Sequence, residues 1–332
     1  MKHSLFALLA SVAVLAGAIS YSEARTPVRV NDAKVMESVP KALSEFGFFY
    51  SPRLQRSVDL IPYQLNTPLY SDGADKLRFI YVPHGKQITA DGDGLLQFPV
   101  GTAIIKTFAF GDGNQRRLIE TRVLLNRADG WLALPYRWNE EQTDARLALA
   151  GGRLPITRPD GTEISYRIPN KNQCKTCHSK DGEVIPIGPK LRNLSDKDLA
   201  ELGVVERAET LLPMWSQRHA DGEIEPFARA YLDVNCAHCH QPGGSASNSG
   251  LDLRWEQDDT LAIGIGKPPV AAGRGSGGHL VSIAPGKPDA SILIHRMSST
   301  ETGVAMPELG KGTVDEEGVA VLREWIERMP NS

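Results

Sequence analysis

Hydrophobic periodicity changes along this chain from helical to alternating. Residues 31–50 carry apolar positions among small and charged residues and predict a helix that Pro40 must end or kink. From about Leu60, short runs of β-branched and aromatic residues, several of them separated by Gly-Asp or Gly-Asn turns, predict antiparallel strands. These runs are KLRFIYV (76–82), FPVGTAIIKTFAF (98–110), RRLIETRVLLNR (116–127), WLALPYRW (131–138) and EISYRI (163–168). The pattern favours a sandwich-like or barrel-like N-terminal domain.

Helical spacing returns in the C-terminal half. The segment Ser195–Asp198 has the capping-box layout and predicts a short helix after it. Glu225 to Asn235 carries an apolar stripe at positions i, i+3, i+4 and i+7. Thr313, with Glu316 at the third position, predicts the start of a last amphipathic helix.

All four cysteines lie in two C-x-x-C-H pentapeptides, CKTCH (174–178) and CAHCH (236–240). This pattern is the attachment signal for c-type haem, because the two thiols can add to the porphyrin vinyl groups and the histidine can bind the iron. The sequence therefore predicts two haem c groups. Their attachment residues are Cys174, Cys177, Cys236 and Cys239, and their proximal iron ligands are His178 and His240.

Each haem iron also has a sixth coordination position. Methionine is a frequent ligand there in electron-transfer cytochromes, since its thioether favours Fe(II). Met306, upstream of the last helix, is the predicted ligand of the second iron, with Met297 as an alternative. Met214 is a candidate for the first iron, where His219 and His84 compete with it. A first site without a protein ligand is a further alternative.

The spacing of the cysteines disfavours zinc and thioredoxin-like chemistry relative to haem attachment. Zinc ribbons separate their cysteine pairs by about 15–20 residues, whereas 58 residues lie between Cys177 and Cys236. Thioredoxin-like chemistry uses one C-x-x-C and no histidine after it. His238, inside the second motif, is predicted to be exposed filler, and Arg274 is a candidate partner for a haem propionate.

Haem c attachment takes place outside the cytoplasm, and residues 1–24 have the layout of a signal peptide cleaved after Ala24. A periplasmic protein is therefore expected. No later stretch approaches the about 20 apolar residues of a transmembrane helix. Removing Lys2 and Glu23 with the signal leaves the formal charge at −3, which disfavours nucleic acid as a partner.

The predicted fold is multidomain. Residues 25–170 form the antiparallel β-rich, sandwich-like domain with an N-terminal helix. Residues 171–222 form an atypical small haem unit, because no helix of any length precedes its motif. Residues 223–332 form a helical, cytochrome c-like haem domain, in which one helix runs into the motif and another closes the domain.

With these motifs in hand, the chain resembles a family of exported dihaem c-type cytochromes of Gram-negative bacteria, and the resemblance spans the mature chain. It implies haem binding and electron transfer but names no physiological partner. The matching stretches are LNTPLYSDGADKLRFIYVP (65–83), FPVGTAIIKTF (98–108), YRWNEEQTDA (136–145), NKNQCKTCH (170–178), PIGPKLRNLS (186–195), AYLDVNCAHCHQPGG (230–244), GRGSGG (273–278), PGKPDASILIHRM (285–297) and MPELG (306–310).

Three functions are compatible with the sequence. The first is one-electron transfer between periplasmic donor and acceptor proteins. The second is a peroxidase-like dihaem enzyme with an open or weakly ligated first iron, although dihaem peroxidases place their motifs differently. The third is a β-rich binding module that delivers the haems to a partner, which fold alone cannot establish.

Overall fold

The computed structural model describes residues 28–50, 55–219 and 222–330. The predicted signal peptide lies outside these ranges. The α-helices are α1 (Asp32–Glu37), α2 (Lys171–Cys177), α3 (Asp196–Glu201), α4 (Glu225–Asn235), α5 (Thr260–Ile263), α6 (Ile292–Met297) and α7 (Glu316–Arg328). The 3-10 turns are Leu43–Phe46, Gly113–Gln115, Leu191–Asn193, Trp215–Gln217, Ser247–Ser249, Gly273–Ser276 and Pro288–Ala290.

The strands confirm the β-rich N-terminal half. They are β1 (Phe49–Tyr50), β2 (Gln55–Arg56), β3 (Leu60–Pro62), β4 (Asp75–Tyr81), β5 (Ala103–Phe110), β6 (Arg117–Arg127), β7 (Gly130–Trp138), β8 (Ala145–Leu147), β9 (Gly152–Thr157), β10 (Glu163–Ile168), β11 (Ser179–Lys180) and β12 (Glu183–Val184). Strands β3 to β8 form one six-stranded antiparallel meander in sequence order, while β9 and β10 form a separate hairpin. Each predicted strand lies in one of these two assemblies.

The two faces of the six-stranded sheet pack against different parts of the chain. One face carries Phe79, Ile105 and Tyr136 into a core with the N-terminal segment around Phe46. The opposite face carries Ile80 and other apolar residues against the region of α3. Further along that second face, Phe108 packs against the β9–β10 hairpin through Tyr166 and its neighbours. The second layer over this sheet is therefore a hairpin and helical segments rather than a second large sheet.

The N-terminal helix is shorter than the periodicity predicts. Helix α1 begins after Asn31, whose side chain accepts a hydrogen bond from the Lys34 amide, and ends at Glu37. The prediction of helix is wrong for residues 38–50, which form a 3-10 turn and the strand β1. Pro40 accounts for the difference, since proline disfavours helical backbone at the residue before it.

Helices α4 and α7 pack together in one apolar core, where Tyr231 and Trp325 are both buried. Gly318 permits this approach, because a Cβ atom there would lie 2.4 Å from the Tyr231 ring. The prediction of Thr313 as the N-cap of the last helix is wrong. Asp315 caps α7 by accepting from the Gly318 amide, while Thr313 hydrogen-bonds Tyr70 and Asp72 of the N-terminal half.

A buried ion pair joins the segment after the first motif to α4. Asp233 is fully buried and accepts two 2.8 Å hydrogen bonds from Lys190, with Arg192 at 3.5 Å. Asp72 likewise accepts from the amides of Gly312 and Thr313. The ion pair holds the two motif regions together, and Asp72 ties the N-terminal half to the loop before α7. Among the described helices, none has the length and apolarity to cross a membrane.

Candidate functional site

The first motif lies on the short helix α2. Asn170 and Gln173 form a reciprocal capping box, in which each side chain accepts from the other residue's amide, at 2.8 and 3.0 Å. The box fixes the start of α2 only a few residues before Cys174, consistent with the absence of a long leading helix. His178 ends the helix, and its amide donates to the carbonyl of Cys174.

The second motif continues directly from α4. The Cys236 amide donates to the carbonyl of Leu232, and the amides of Cys239 and His240 both donate to the carbonyl of Cys236. The helix predicted over residues 225–235 is confirmed with the same bounds. Its last turn therefore passes without a break into the compact turn that presents the second pair of thiols.

The structure brings the two motifs together. Just beyond the motifs, Lys180 and Gly244 form an antiparallel β-bridge, and the Asp181 amide donates to the Gly243 carbonyl at 2.9 Å. The thiols of Cys177 and Cys239 are hydrogen-bonding neighbours, which raises the pKa of Cys177 and lowers that of Cys239. Ligands attached at the two motifs would therefore lie side by side.

Each motif lines a cavity. Cys236, Cys239 and His240 line a cavity of about 570 Å³. Cys174 and His178 line a neighbouring cavity of about 120 Å³ against the six-stranded sheet. The residues that line both are Tyr70, Cys177, Asn235, His238, Pro307, Leu309 and Gly310. The cavities are thus adjacent and share a wall.

Hydrogen bonds orient both motif histidines in the same way. The Nδ1 atom of His178 lies 2.8 Å from the carbonyl oxygen of Ile185, which can only accept, so Nδ1 carries the proton. The Nδ1 atom of His240 lies 3.0 Å from the hydroxyl of Ser249, whose own proton goes to the Ala246 carbonyl. Nδ1 of His240 is therefore also the donor. In the neutral ring, Nε2 of each histidine keeps its lone pair for a metal.

Burial sets the charge state of these groups. Desolvation lowers the pKa of His178 to about 3, and it lowers the pKa of His240 as well. Both rings are consequently neutral at pH 7, which is the form that binds iron. Desolvation also raises the pKa of Cys174 and raises that of Cys236 to about 12.

Met306 and Met297 both line the larger cavity together with His240. Met297 is almost fully buried at 4% exposure in the core of the helical region, whereas Met306 lies in the loop before α7. The Lys311 ammonium donates to the carbonyl oxygens of both methionines, at 2.5 Å to Met297 and 2.9 Å to Met306. This lysine fixes the backbone of both candidate sulfur ligands.

Among the residues that the structure describes, no methionine lines the cavity of the first motif. Met214 is 44% exposed, begins a 3-10 turn and lines neither cavity. His219 and His84, its predicted competitors, are exposed on the surface and likewise line neither cavity. The structure therefore does not bring the sequence-derived sixth ligands to the first motif.

The prediction of His238 as exposed filler is wrong, because its side chain is half-buried between the two motifs. His238 lines both cavities, and its Nδ1 atom is buried without a hydrogen-bond partner among the described residues. Buried polar atoms are rarely left unpaired, so such an atom calls for an explanation. Histidine at the third position of the motif was the only available signal, and its placement between the cavities depends on packing of the two motifs.

The ligand atoms of both motifs suit haem attachment, while the two cavities differ in the room they offer. Each motif offers two thiols and one neutral imidazole. The larger cavity falls within the about 300–1,000 Å³ typical of ligand pockets, whereas the smaller one has room for only part of a porphyrin. No three His, Cys, Asp or Glu side chains of the described residues are grouped for one metal ion. A porphyrin supplies four ligands itself, so haem iron does not require such a group.

Comparison with protein-family models, with curated proteins and with solved structures gives no match in any of the three. Membership of a dihaem c-type cytochrome family therefore stays a prediction.

Proposed function

We propose that this chain is an exported c-type cytochrome that carries two haem groups and transfers single electrons between periplasmic proteins. The observation that carries the proposal is the shared orientation of His178 and His240. In each C-x-x-C-H motif, Nδ1–H is bound to an acceptor, so that Nε2 is left free beside two thiols and a cavity. A bound haem iron supplies one-electron exchange between Fe(II) and Fe(III).

The residues around the second motif support a six-coordinate site. His240 would supply an imidazole to a bound iron, and Met306 would supply a thioether from the loop that Lys311 holds. Met297 is the alternative sulfur ligand. Apolar side chains such as Leu253 and Ile292 line the same cavity and keep water away from the bound group. Exclusion of water and a soft sulfur ligand both favour the reduced iron.

The residues around the first motif support a different sixth ligand. His238 lines the first cavity and has an unpaired Nδ1 atom, whereas Met214 lies at the surface. His238 is therefore our preferred ligand from the protein for the first iron. A second candidate function, a peroxidase-like enzyme, follows if His238 does not bind, because the residues around the first motif would then leave room for a small molecule such as peroxide beside a bound haem.

Cysteine variants test haem attachment. The full chain is produced in a host with the c-type maturation system, and intact mass and absorption spectra are recorded. We expect two haems in the wild type, one in Cys174→Ser/Cys177→Ser, and one in Cys236→Ser/Cys239→Ser. His295→Ala, a histidine outside both motifs, is the control and should keep two. A colourless wild-type protein with the mass of the bare mature chain would exclude the proposal.

Low-temperature magnetic spectroscopy tests the sixth ligands. Met306→Ala should convert the second iron from low-spin to a high-spin or differently ligated state. His238→Ala should do the same to the first iron. Met214→Ala serves as the control and should leave both signals unchanged. If Met214→Ala alters a signal and His238→Ala does not, the assignment at the first site is wrong.

Stopped-flow mixing of the reduced protein with peroxide separates the carrier from the peroxidase-like enzyme. Slow oxidation without turnover is expected for a carrier with two six-coordinate irons. Rapid catalytic turnover would establish the enzyme instead. Export is tested by N-terminal sequencing of the periplasmic protein, which should begin at Arg25.

A further inference from the structure

Three cations lie side by side across neighbouring strands of the sheet that faces the first motif. In the antiparallel register, Arg78 of β4 is paired with Lys106 of β5, and Lys106 is paired with Arg122 of β6. Directly opposed residues share one face, with Cβ atoms about 4.5–5.5 Å apart. We call Arg78, Lys106 and Arg122 the cation row. All three side chains line the cavity of the first motif.

The cation row has three basic side chains but, in the described part of the chain, only one carboxylate to pair with them, that of Glu120. Glu120 is fully buried and pairs with Arg122 at 2.6 and 3.0 Å, while also accepting from Tyr166. Arg78 is only 9% exposed, and its guanidinium donates to the Lys76 carbonyl rather than to a carboxylate. Among the described residues, neither Arg78 nor Lys106 has an ion-pair partner, and no Asp or Glu lines this cavity.

Without a bound anion, the cation row destabilises the folded chain. Like charges directly opposite each other in a sheet are destabilising, and burial of an unpaired charge costs more than burial of a paired one. The two arginines around the larger cavity differ in this respect, since Arg274 pairs with Glu301 and Arg296 lies 3.6 Å from Glu308. An anionic ligand at the first motif would remove the imbalance.

We propose that the cation row binds the carboxylate groups of the ligand at the first motif, namely the two propionates of the haem attached at Cys174 and Cys177. This inference rests on the proposed function. It gives the β-rich half a definite role, because the sheet then forms the wall that holds the first haem. Arginine and lysine bind carboxylates through charge-assisted hydrogen bonds, which are stronger than neutral ones.

The test compares Lys106→Met and Arg78→Gln with Lys76→Met. Lys76 lies on the same face one row away and does not line the cavity, so it is the matched control. Intact mass counts the haems, spectroelectrochemistry gives the two midpoint potentials, and thermal unfolding is followed with and without haem. The Cys236→Ser/Cys239→Ser variant, which retains the first motif alone, identifies which potential belongs to the first haem.

We expect two haems in every variant. The potential of the first haem should fall in Lys106→Met and Arg78→Gln, because loss of a nearby cation favours the more positive ferric state. The second haem and the Lys76→Met control should keep their potentials. Lys106→Met should also lower the unfolding temperature of the haem-loaded protein while raising that of the haem-free chain, since the same charge is paired in one and unpaired in the other.

Two results would overturn the inference with the proposed function intact. One is an unchanged first potential in a variant that carries both haems. The other is a change in unfolding temperature of the same sign with and without haem. Wild-type protein without covalent haem would overturn the proposed function and the propionate assignment together. Stabilisation of that protein by inorganic phosphate, lost in Lys106→Met, would then identify the cation row as a site for a free anion.

Discussion

The same pentapeptide pattern lies in two different surroundings in this protein. The second motif follows a long helix and lines a cavity of about 570 Å³ with two methionines. The first motif lies on a two-turn helix against a sheet, in a cavity of about 120 Å³ lined by Arg78, Lys106 and Arg122. Both motifs offer the same thiols and imidazole to the proposed haems, whereas their surroundings differ in candidate sixth ligands and in local charge. We therefore expect two irons with different properties from two nearly identical sequences.

The largest effect should come from breaking the link between the two regions. Asp233→Ala leaves Lys190 and Arg192 buried without their shared carboxylate, and breaking a buried pair in this way costs about 3–5 kcal/mol. We expect the free energy of unfolding to fall by this amount in chemical denaturation. Asp258→Asn, an exposed carboxylate on the following loop, should have little effect. A single unchanged transition in Asp233→Ala would show that the ion pair does not couple the two regions.

The charge of the sheet predicts that the stability of the haem-free chain rises with pH in the neutral to alkaline range, whereas paired carboxylates give such a rise only in acid. Burial, with Arg78, Lys106 and Arg122 nearby and only Asp75 opposing them, lowers the pKa of Lys76 to about 7. The unfolded chain then holds the Lys76 proton over a range of pH in which the folded chain does not.

Between about pH 7 and 10 the unfolded state binds more protons, so the free energy of unfolding should rise with pH, by at most about 1.4 kcal/mol per pH unit for one group. Denaturation of wild type and Lys76→Met at several pH values measures the difference. The rise should be smaller in the variant. Equal slopes would contradict the lowering of the Lys76 pKa by burial.

The smallest effect tests the packing that shapes the larger cavity. Gly318→Ala places a methyl group against the Tyr231 ring, which is 4% exposed and held by a 2.8 Å hydrogen bond to Asp315. Overpacking lowers the free energy of unfolding by about 1–3 kcal/mol. The higher helix propensity of alanine relative to glycine offsets up to about 1 kcal/mol of this loss. We expect chemical denaturation to show a net fall of about 1 kcal/mol in the free energy of unfolding.

Adding Tyr231→Leu supplies the control for this loss. In the Tyr231→Leu background, Gly318→Ala should cost less than it does alone, because the ring is gone. In the loaded protein, Gly318→Ala should disturb the signal of the second iron and leave the first unchanged. An additive cost in the double variant would mean that the ring and the methyl group do not compete for space.

Local sequence signals were most reliable where local interactions decide the structure. The five predicted strands and the helix over residues 225–235 form as expected, since alternating or helical apolar positions follow directly from element geometry. Predictions failed where long-range contacts compete. Thr313 has the residue type of an N-cap, yet Tyr70 and Asp72 engage its hydroxyl, so that Asp315 caps the helix instead.

In the candidate site too, local features could be predicted from the sequence and features that depend on long-range contacts could not. Two thiols and a histidine within five residues suffice to define an attachment motif, because the required atoms are held by one turn of chain. The position of Met214 at the surface and of His238 between the cavities depends on how separate segments pack.

The sequence by itself determined which thiols and imidazoles the two motifs offer and the order of strands and helices, because those depend on residues close together in the chain. Only the tertiary structure decided that the motifs adjoin, that both histidines present Nε2, and that three cations face the first motif. Those features depend on strand register and on packing between segments far apart in sequence. The periodicity of apolar residues along the chain does not specify strand register or the packing of distant segments.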